Sequence, residues 1–117
     1  MGVVGSYKNL IVWQKSRKLV LDVYKLTELY PDKERFNLIQ HTRKTSISIP
    51  SNIAEGWCLN TPKLYKKHIR IAYGSIGELE TQLLLALDLG YIDVIEYNKI
   101  EVLMIEIMKM LYTMLRK

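Results

Sequence analysis

A row of basic side chains lies between positions 63 and 70, and it is the feature best suited to chemistry with an anionic partner. Lys63, Lys67 and Arg70 recur at the i, i+4, i+7 spacing that puts them on one face of a helix, with Lys66 beside them. Such a row can contact successive phosphates, and binding of that kind tolerates many sequences and weakens strongly with salt. The alternative is the ordinary solvated basic surface of a globular protein.

Further basic residues lie on the two helices predicted to precede this row. Arg43 and Lys44 are adjacent in the second of them, and Arg17 and Lys25 accompany Lys15 and Lys18 in the first. We expect several helices to contribute to one positive surface. The candidate nucleic-acid-binding residues are therefore Lys15, Lys18, Arg43, Lys44, Lys63, Lys66, Lys67 and Arg70.

The charge distribution supports an anionic partner. The chain carries 17 Lys and Arg against 12 Asp and Glu, a formal net charge of +5. Residues 1–70 hold 13 basic and five acidic side chains, whereas residues 71–117 hold four and seven. The first part of the chain therefore carries the positive field.

Residue patterns typical of enzymes and metal sites are missing from the sequence. Neither His41 nor His68 has a Glu three residues before it, which excludes the Glu-x-x-His pairs of di-iron bundles. Glu78 and Glu80 are two positions apart, about 200° around a helix, so they cannot face one substrate. A lone Cys58 is more often a small buried apolar residue than a nucleophile. The sequence therefore predicts no enzyme, no cofactor and no metal.

Length and composition predict one all-α domain spanning residues 1–117. Hydrophobic residues make up 49% of the chain and charged residues 25%, while three prolines and six glycines interrupt long runs of helix-forming residues. No stretch approaches the roughly 18 apolar residues that span a bilayer. A single cysteine cannot form an internal disulfide and fits a reducing compartment. We therefore expect a cytoplasmic protein.

Two helices are predicted in the first half of the chain. The first covers residues 9–30 and ends at Pro31; its buried stripe comprises Val12, Ser16, Leu19, Val23, Leu26 and Tyr30. The second covers residues 33–57, with Asp32 as N-cap and a kink at Pro50. The alternative is a helix that ends at Ile49 and restarts with Asn52 as N-cap. We favour one kinked helix, in which Ser46, Ser48 and Ser51 bond the carbonyls that the proline leaves unpaired.

Two further helices are predicted in the second half. The third has Thr61 as N-cap, Pro62 at its first position and Gly90 as its stop. Its core stripe comprises Tyr65, Ile69, Ala72, Ile76, Leu79, Leu83 and Leu87. The fourth begins with a capping box of Asp93 and Glu96 and runs to about residue 115. Four long helices with short connections predict an antiparallel, up-down-up-down four-helix bundle.

The fourth helix is apolar over more of its circumference than one bundle core requires. Residues 102–115 are mostly Val, Leu, Ile, Met and Tyr, and only a narrow strip with Lys99, Glu106 and Lys109 is charged. A second apolar face predicts a homo-oligomer. Gly74 and Gly77 in the third helix indicate a face that another helix can approach closely.

A polar layer is predicted between the second and third helices. It comprises Asn52, Glu55, Ser75, Glu78 and Gln82, whose paired polar groups would fix the register of the core. Replacement of Glu78 by Ala is then expected to lower stability, because its desolvated partners would lose their hydrogen bonds.

Two segments carry a resemblance to a known family. Residues 43–57 read RKTSISIPSNIAEGW and residues 71–83 read IAYGSIGELETQL; VWQ at 12–14, YKLT at 24–27, Pro31 and ML at 110–111 extend the match over most of the chain. The chain resembles the bacterial four-helix-bundle family named for open reading frames inside 23S rRNA intervening sequences. The family pattern has Arg-Ala where this chain has Arg43-Lys44, which adds charge and leaves the core motif at 48–56 intact.

The resemblance also implies a number of subunits and specific partners. The family is similar to the accessory variability protein of diversity-generating retroelements, a pentameric barrel whose basic surface binds nucleic acid and a reverse transcriptase. It therefore implies a homopentamer that binds rRNA, structured RNA or RNA/DNA hybrid. The alternative is a structural or adaptor module that docks a protein partner such as a reverse transcriptase.

Overall fold

Residues 6–117, the part of the chain that the computed structural model describes, form four α-helices. These are α1 (Ile11–Thr27), α2 (Leu38–Leu59), α3 (Pro62–Asp88) and α4 (Val94–Arg116), and single 3-10 turns precede α1 (Tyr7–Asn9) and α2 (Asp32–Glu34). The first five residues of the predicted domain lie outside the described part. None of these helices is both long and apolar enough to cross a membrane.

Short connections make consecutive helices antiparallel neighbours, as predicted. Helix α1 packs against α2 and α4, and α3 packs against the same two helices from the other side. The bundle measures 46 × 24 × 23 Å. The starts of α1 and α3 therefore lie at the same end as the last turns of α2 and α4.

The predicted apolar stripes form the core. All six residues of the first predicted stripe are buried, five of them in α1 and Tyr30 just after it, and the middle of the α3 stripe, from Ile69 to Leu83, is buried with them. Tyr65 and Leu87, at the two ends of that stripe, are half-buried and pack against the core cluster. Apolar burial on this scale, at about 25 cal/mol per Å², is the main force that holds the four helices together.

The predicted start of α2 is wrong. Asp32 opens a 3-10 turn in which its carbonyl accepts from the Arg35 N–H at 3.0 Å and its carboxylate pairs with the Arg35 guanidinium at 2.6 Å. Asn37 then leaves helical geometry with φ −126° and ψ −105°, and α2 begins at Leu38. Because Asp32 makes these contacts within its own 3-10 turn, it does not cap α2. Helix α2 therefore begins about one and a half turns later than predicted. Helix α1 likewise ends at Thr27, three residues before the predicted end.

Helix α2 continues through Pro50 as one helix, as favoured. The hydroxyls of Ser46 and Ser48, however, do not bond the carbonyl that Pro50 leaves unpaired. Pro50 has no N–H to donate to the carbonyl of Ser46. The Ser46 hydroxyl donates instead to the Arg43 carbonyl at 2.7 Å, and the Ser48 hydroxyl lies 2.8 Å from the Ser75 hydroxyl on α3. Ser48 therefore joins two helices.

The predicted boundaries of α3 and α4 are confirmed. The Thr61 hydroxyl accepts from the Leu64 N–H at 3.2 Å, Pro62 follows it, and Gly90 ends the helix with φ +79°. Asp93 and Glu96 form the predicted capping box, with reciprocal hydrogen bonds of 2.7 and 2.9 Å. These signals are local, so adjacent residues suffice to specify them.

Gly56 lies where α2 approaches α3 closely, and its replacement by Ala should destabilise the bundle. A Cβ at this position would lie 2.9 Å from the Cβ of His68 and 3.3 Å from the carbonyl oxygen of Tyr65. Overpacking of this kind costs about 1–3 kcal/mol, which exceeds the gain of up to about 1 kcal/mol from the better helix propensity of Ala. We expect urea denaturation to report a lower free energy of unfolding, whereas Ser51→Ala on the exposed side of α2 should leave it unchanged.

Candidate nucleic-acid interface

The predicted basic row lies on the outward face of α3. Lys63, Lys67 and Arg70 are exposed, and Lys66 is half-buried beside them. None of the four makes an ion pair within residues 6–117, although the chain contains 12 acidic side chains. Their charges are therefore uncompensated and available to an anionic partner.

The last residues of α4 add to this charge. The antiparallel arrangement brings Arg116 and Lys117 to the end of the bundle where α3 begins, and Lys117 lines a cavity of about 560 Å³ together with Lys63 and Lys66. The guanidinium of Arg116 lies 5.5 Å from the centre of the Tyr112 ring. We call this surface the basic end; its cationic residues are Lys63, Lys66, Lys67, Arg70, Arg116 and Lys117.

Arg43 is not part of the basic end. Its Nε donates to the Thr27 hydroxyl at 2.8 Å, its Nη2 lies 3.5 Å from the Glu28 carboxylate, and its guanidinium stacks 4.4 Å from the centre of the Tyr24 ring. These three contacts tie α2 to α1. Arg43 therefore stabilises the packing of α2 against α1, and much of its hydrogen-bonding capacity is used there.

The other predicted basic residues are also dispersed. Lys15 pairs with Glu106 of α4 at 2.9 Å, and Lys18 pairs with Asp22 at 3.0 Å. Lys44 is exposed near the start of α2, at the level of Gln82 on α3. That level is 12 residues beyond Arg70, about 18 Å along the helix axis. A single chain therefore does not gather all eight predicted residues into one surface, because they lie on different sides and at different levels of the bundle.

Three of the five residues predicted for the polar layer do form one between α2 and α3. Asn52 donates to the Ser48 carbonyl at 2.8 Å and its Oδ1 lies 2.9 Å from His68 Nδ1, while Ser75 bonds Ser48 across the interface. Gln82 Nε2 donates to the Thr45 hydroxyl at 3.1 Å. These contacts fix how the two helices pair.

The sequence reasoning missed three members of this layer. Thr45, Ser48 and His68 contribute to it, and each shares a face with a predicted member. Thr45, Ser48 and Asn52 recur at i, i+3, i+7 on α2, and His68, Ser75 and Gln82 recur at i, i+7, i+14 on α3. This spacing was the signal that would have found them.

Glu55 and Glu78 lie outside the hydrogen-bonded layer. The Glu55 side chain is 61% exposed and its carboxylate is 3.7 Å from His68 Nε2. The Glu78 side chain is exposed and makes no hydrogen bond to another described residue. Glu78 is offset from Ser75 by about 60° around the helix, and its exposure places it at the edge of the face that contacts α2.

The polar layer predicts that two substitutions differ in their effect on the free energy of unfolding. Asn52→Ala should lower the free energy of unfolding by about 1–3 kcal/mol, because His68 Nδ1 and the Ser48 hydroxyl lose a partner inside the bundle. Glu78→Ala should change it by less than about 0.5 kcal/mol, since that side chain faces solvent. Urea denaturation of both variants checks this, and a Glu78→Ala loss as large as that of Asn52→Ala would contradict the assignment.

The outer faces of α3 and α4 include some of the residues predicted to mediate assembly. On α4, Val102 is 70% exposed, whereas Met104, Ile107 and Leu111 are buried in the core. Ile95, which was not predicted, lies seven residues before Val102 on the same face and is 66% exposed. Gly74 and Gly77 are exposed on α3, with no atom near the position of an added Cβ. They continue the outward face that carries Lys67 and Arg70.

The described residues do not assemble a metal site. No group of three or more His, Cys, Asp or Glu side chains converges as metal ligands between residues 6 and 117. Cys58 is exposed rather than buried, with its thiol free.

The fold and the basic end together define an antiparallel four-helix bundle with uncompensated positive charge at one end. A family model described as 23S rRNA-intervening sequence protein matches residues 8–113. The chain belongs to this family. No curated protein matches the chain.

Proposed function

We propose that the protein is a non-enzymatic, oligomeric nucleic-acid-binding protein that contacts RNA phosphates through the basic end. The observation that carries this proposal is that Lys63, Lys66, Lys67 and Arg70 lie together on one helix and make no ion pair with an acidic side chain of residues 6–117. Membership of a family named for rRNA intervening sequences favours RNA as the nucleic acid. Structured RNA and RNA/DNA hybrids are the expected targets.

Phosphate contacts account for the expected behaviour. Cations along the exposed side of a helix can follow a phosphate backbone, but they carry no base-reading geometry of their own. Binding should therefore tolerate many sequences and should release counterions, with a slope of log affinity against log salt of about −0.7 to −0.9 for each phosphate contacted.

Assembly would strengthen this weak binding. Gly74 and Gly77 continue the same outward face as Lys67 and Arg70, so a neighbour that contacts the glycines brings two basic ends near one another. Repetition of the basic end around a symmetry axis would raise affinity through avidity. We propose a homo-oligomer, with five copies on the basis of the family resemblance, that acts in the cytoplasm.

Gel-shift titration tests the proposal. The protein is titrated against an rRNA stem-loop, single-stranded DNA and an RNA/DNA hybrid at 50 and 200 mM salt. We expect binding to the stem-loop and the hybrid at low salt and a large loss at high salt. Absence of binding to every probe at 50 mM salt would contradict the proposal.

An adaptor that docks a protein partner, such as a reverse transcriptase, is the second candidate. Exposed apolar side chains favour it: Phe36 is 81% exposed, and Leu29 and Leu89 are also exposed at the end of the bundle opposite the basic end. Apolar groups there would suit a protein surface rather than a phosphate backbone. A protein that binds none of the nucleic acids would favour this function.

A further inference from the structure

The basic end contains two cavities that share Tyr65 and Pro62 in their walls. The larger, about 560 Å³, is the one that Lys63, Lys66 and Lys117 line. The smaller, about 330 Å³, lies on the other side of Tyr65 and is lined by Trp57 as well. An aromatic cavity therefore adjoins a cationic one.

Two aromatic rings shape the smaller cavity. The rings of Trp57 and Tyr65 meet edge to face, with centroids 6.2 Å apart and planes at 84°. Gly56 also lines this cavity and provides no side chain to fill it. Burial raises the pKa of the Tyr65 phenol. A flat ring that enters the cavity can therefore stack on one aromatic face and contact the other at its edge.

Polar groups at the rim suit the edge of a nucleobase. Asn60, which lines the smaller cavity, adopts the left-handed conformation with φ 56° between α2 and α3. Its side-chain amide is exposed and makes no hydrogen bond to another described residue. The amide offers both a donor and an acceptor. Lys63 and Lys66, on the other side of Tyr65, can neutralise an adjoining phosphate.

We propose that the basic end holds one unpaired nucleotide, its base stacked on one of the rings of Trp57 and Tyr65 with its edge against the other, and its phosphate at Lys63 and Lys66. The proposal rests on the proposed function and adds the form of RNA that is recognised. A paired base inside an A-form helix has both faces covered by its neighbours, whereas a base in a loop or bulge can splay out and stack on aromatic side chains. The protein should therefore prefer stem-loops over blunt duplexes.

Fluorescence of Trp57 tests this preference. Trp13→Phe leaves Trp57 as the only tryptophan, since the chain has two. This variant is titrated at one salt concentration with a stem-loop, a blunt duplex of the same base pairs, and the same stem-loop with abasic loop positions. We expect saturable quenching of Trp57 by the stem-loop and none by the duplex, and about tenfold weaker affinity for the abasic probe, as for the loss of one stacked base.

Two variants of Tyr65 separate ring stacking from structure. Tyr65→Phe keeps the ring and should keep the preference for the stem-loop over the duplex, whereas Tyr65→Leu should reduce it about tenfold. Thermal melting by circular dichroism checks that each variant is folded. Should Tyr65→Leu unfold the bundle, the abasic probe with the Trp13→Phe variant still decides the question.

The outcomes distinguish this proposal from the proposed function. Equal, salt-sensitive binding of all three probes without Trp57 quenching would overturn the nucleotide site and leave phosphate binding intact. Binding of no probe would overturn both. Quenching of Trp57 by poly-glutamate but not by the stem-loop would assign the cavities to an acidic protein segment and also overturn the proposal.

Discussion

Replacement of both Lys67 and Arg70 by Glu should remove most RNA binding and leave the bundle folded. Both side chains are exposed and neither makes an ion pair within the described residues, so the fold does not depend on their charge. At 0.1 M salt each lost phosphate contact lowers affinity by about 5- to 8-fold, so two lost contacts in one subunit lower it about 25- to 60-fold. Gel-shift titration measures the loss.

A matched variant controls for net charge. Lys33→Glu with Lys44→Glu makes the same charge change at exposed positions outside the basic end. It should bind RNA within about threefold of the parent, since a charge at long range is largely screened at 0.1 M salt. Equal losses in the two double variants would show that net charge, and not the basic end, determines binding.

Replacement of Ile95 and Val102 by Glu should convert the assembly into monomers. These are among the most exposed apolar side chains of α4, and the bundle core does not need them. If this face packs against a second copy as proposed, two carboxylates on it would each have to lose their hydration without a partner. Light scattering should report a multiple of 13.7 kDa for the parent, with five copies on the basis of the family resemblance, and 13.7 kDa for the variant.

The control for this experiment lies on α1 and in the connection that follows it. Leu21→Glu with Leu29→Glu also replaces two exposed apolar side chains by carboxylates, away from α4. This variant should keep the mass of the parent assembly. A parent that is monomeric in dilute buffer, or a Leu21/Leu29 variant that dissociates while the Ile95/Val102 variant does not, would contradict the predicted interface.

Sequence reasoning succeeded where the signal was local or periodic. Thr61 with Pro62, and Asp93 with Glu96, specify helix starts through contacts within four residues. The five stripe residues in α1 follow one helical period and are all buried. The start of α2 was missed because Asp32 is a plausible cap by residue type, and its contact with Arg35 satisfies a 3-10 turn instead.

The candidate site was less predictable because it depends on how helices pair. The residue type of Arg43 does not indicate that its guanidinium bonds Thr27 and stacks on Tyr24, because both residues lie on another helix. The same is true of His68, whose partner Asn52 is 16 residues away on α2. Arg116 and Lys117 join the basic end only because α4 runs antiparallel to α3. Residue type and spacing identify a charged face, and tertiary structure decides which charges stay free.

Lysine reactivity on the unmodified protein tests the central claim most directly. The protein is acetylated briefly with and without an rRNA stem-loop, and the modification of each lysine is measured by mass spectrometry. RNA should protect Lys63, Lys66, Lys67 and Lys117, while Lys33 and Lys44 react at the same rate in both samples. Protection of Lys33 and Lys44 with no change at the basic end, under conditions where the RNA is bound, would contradict the account.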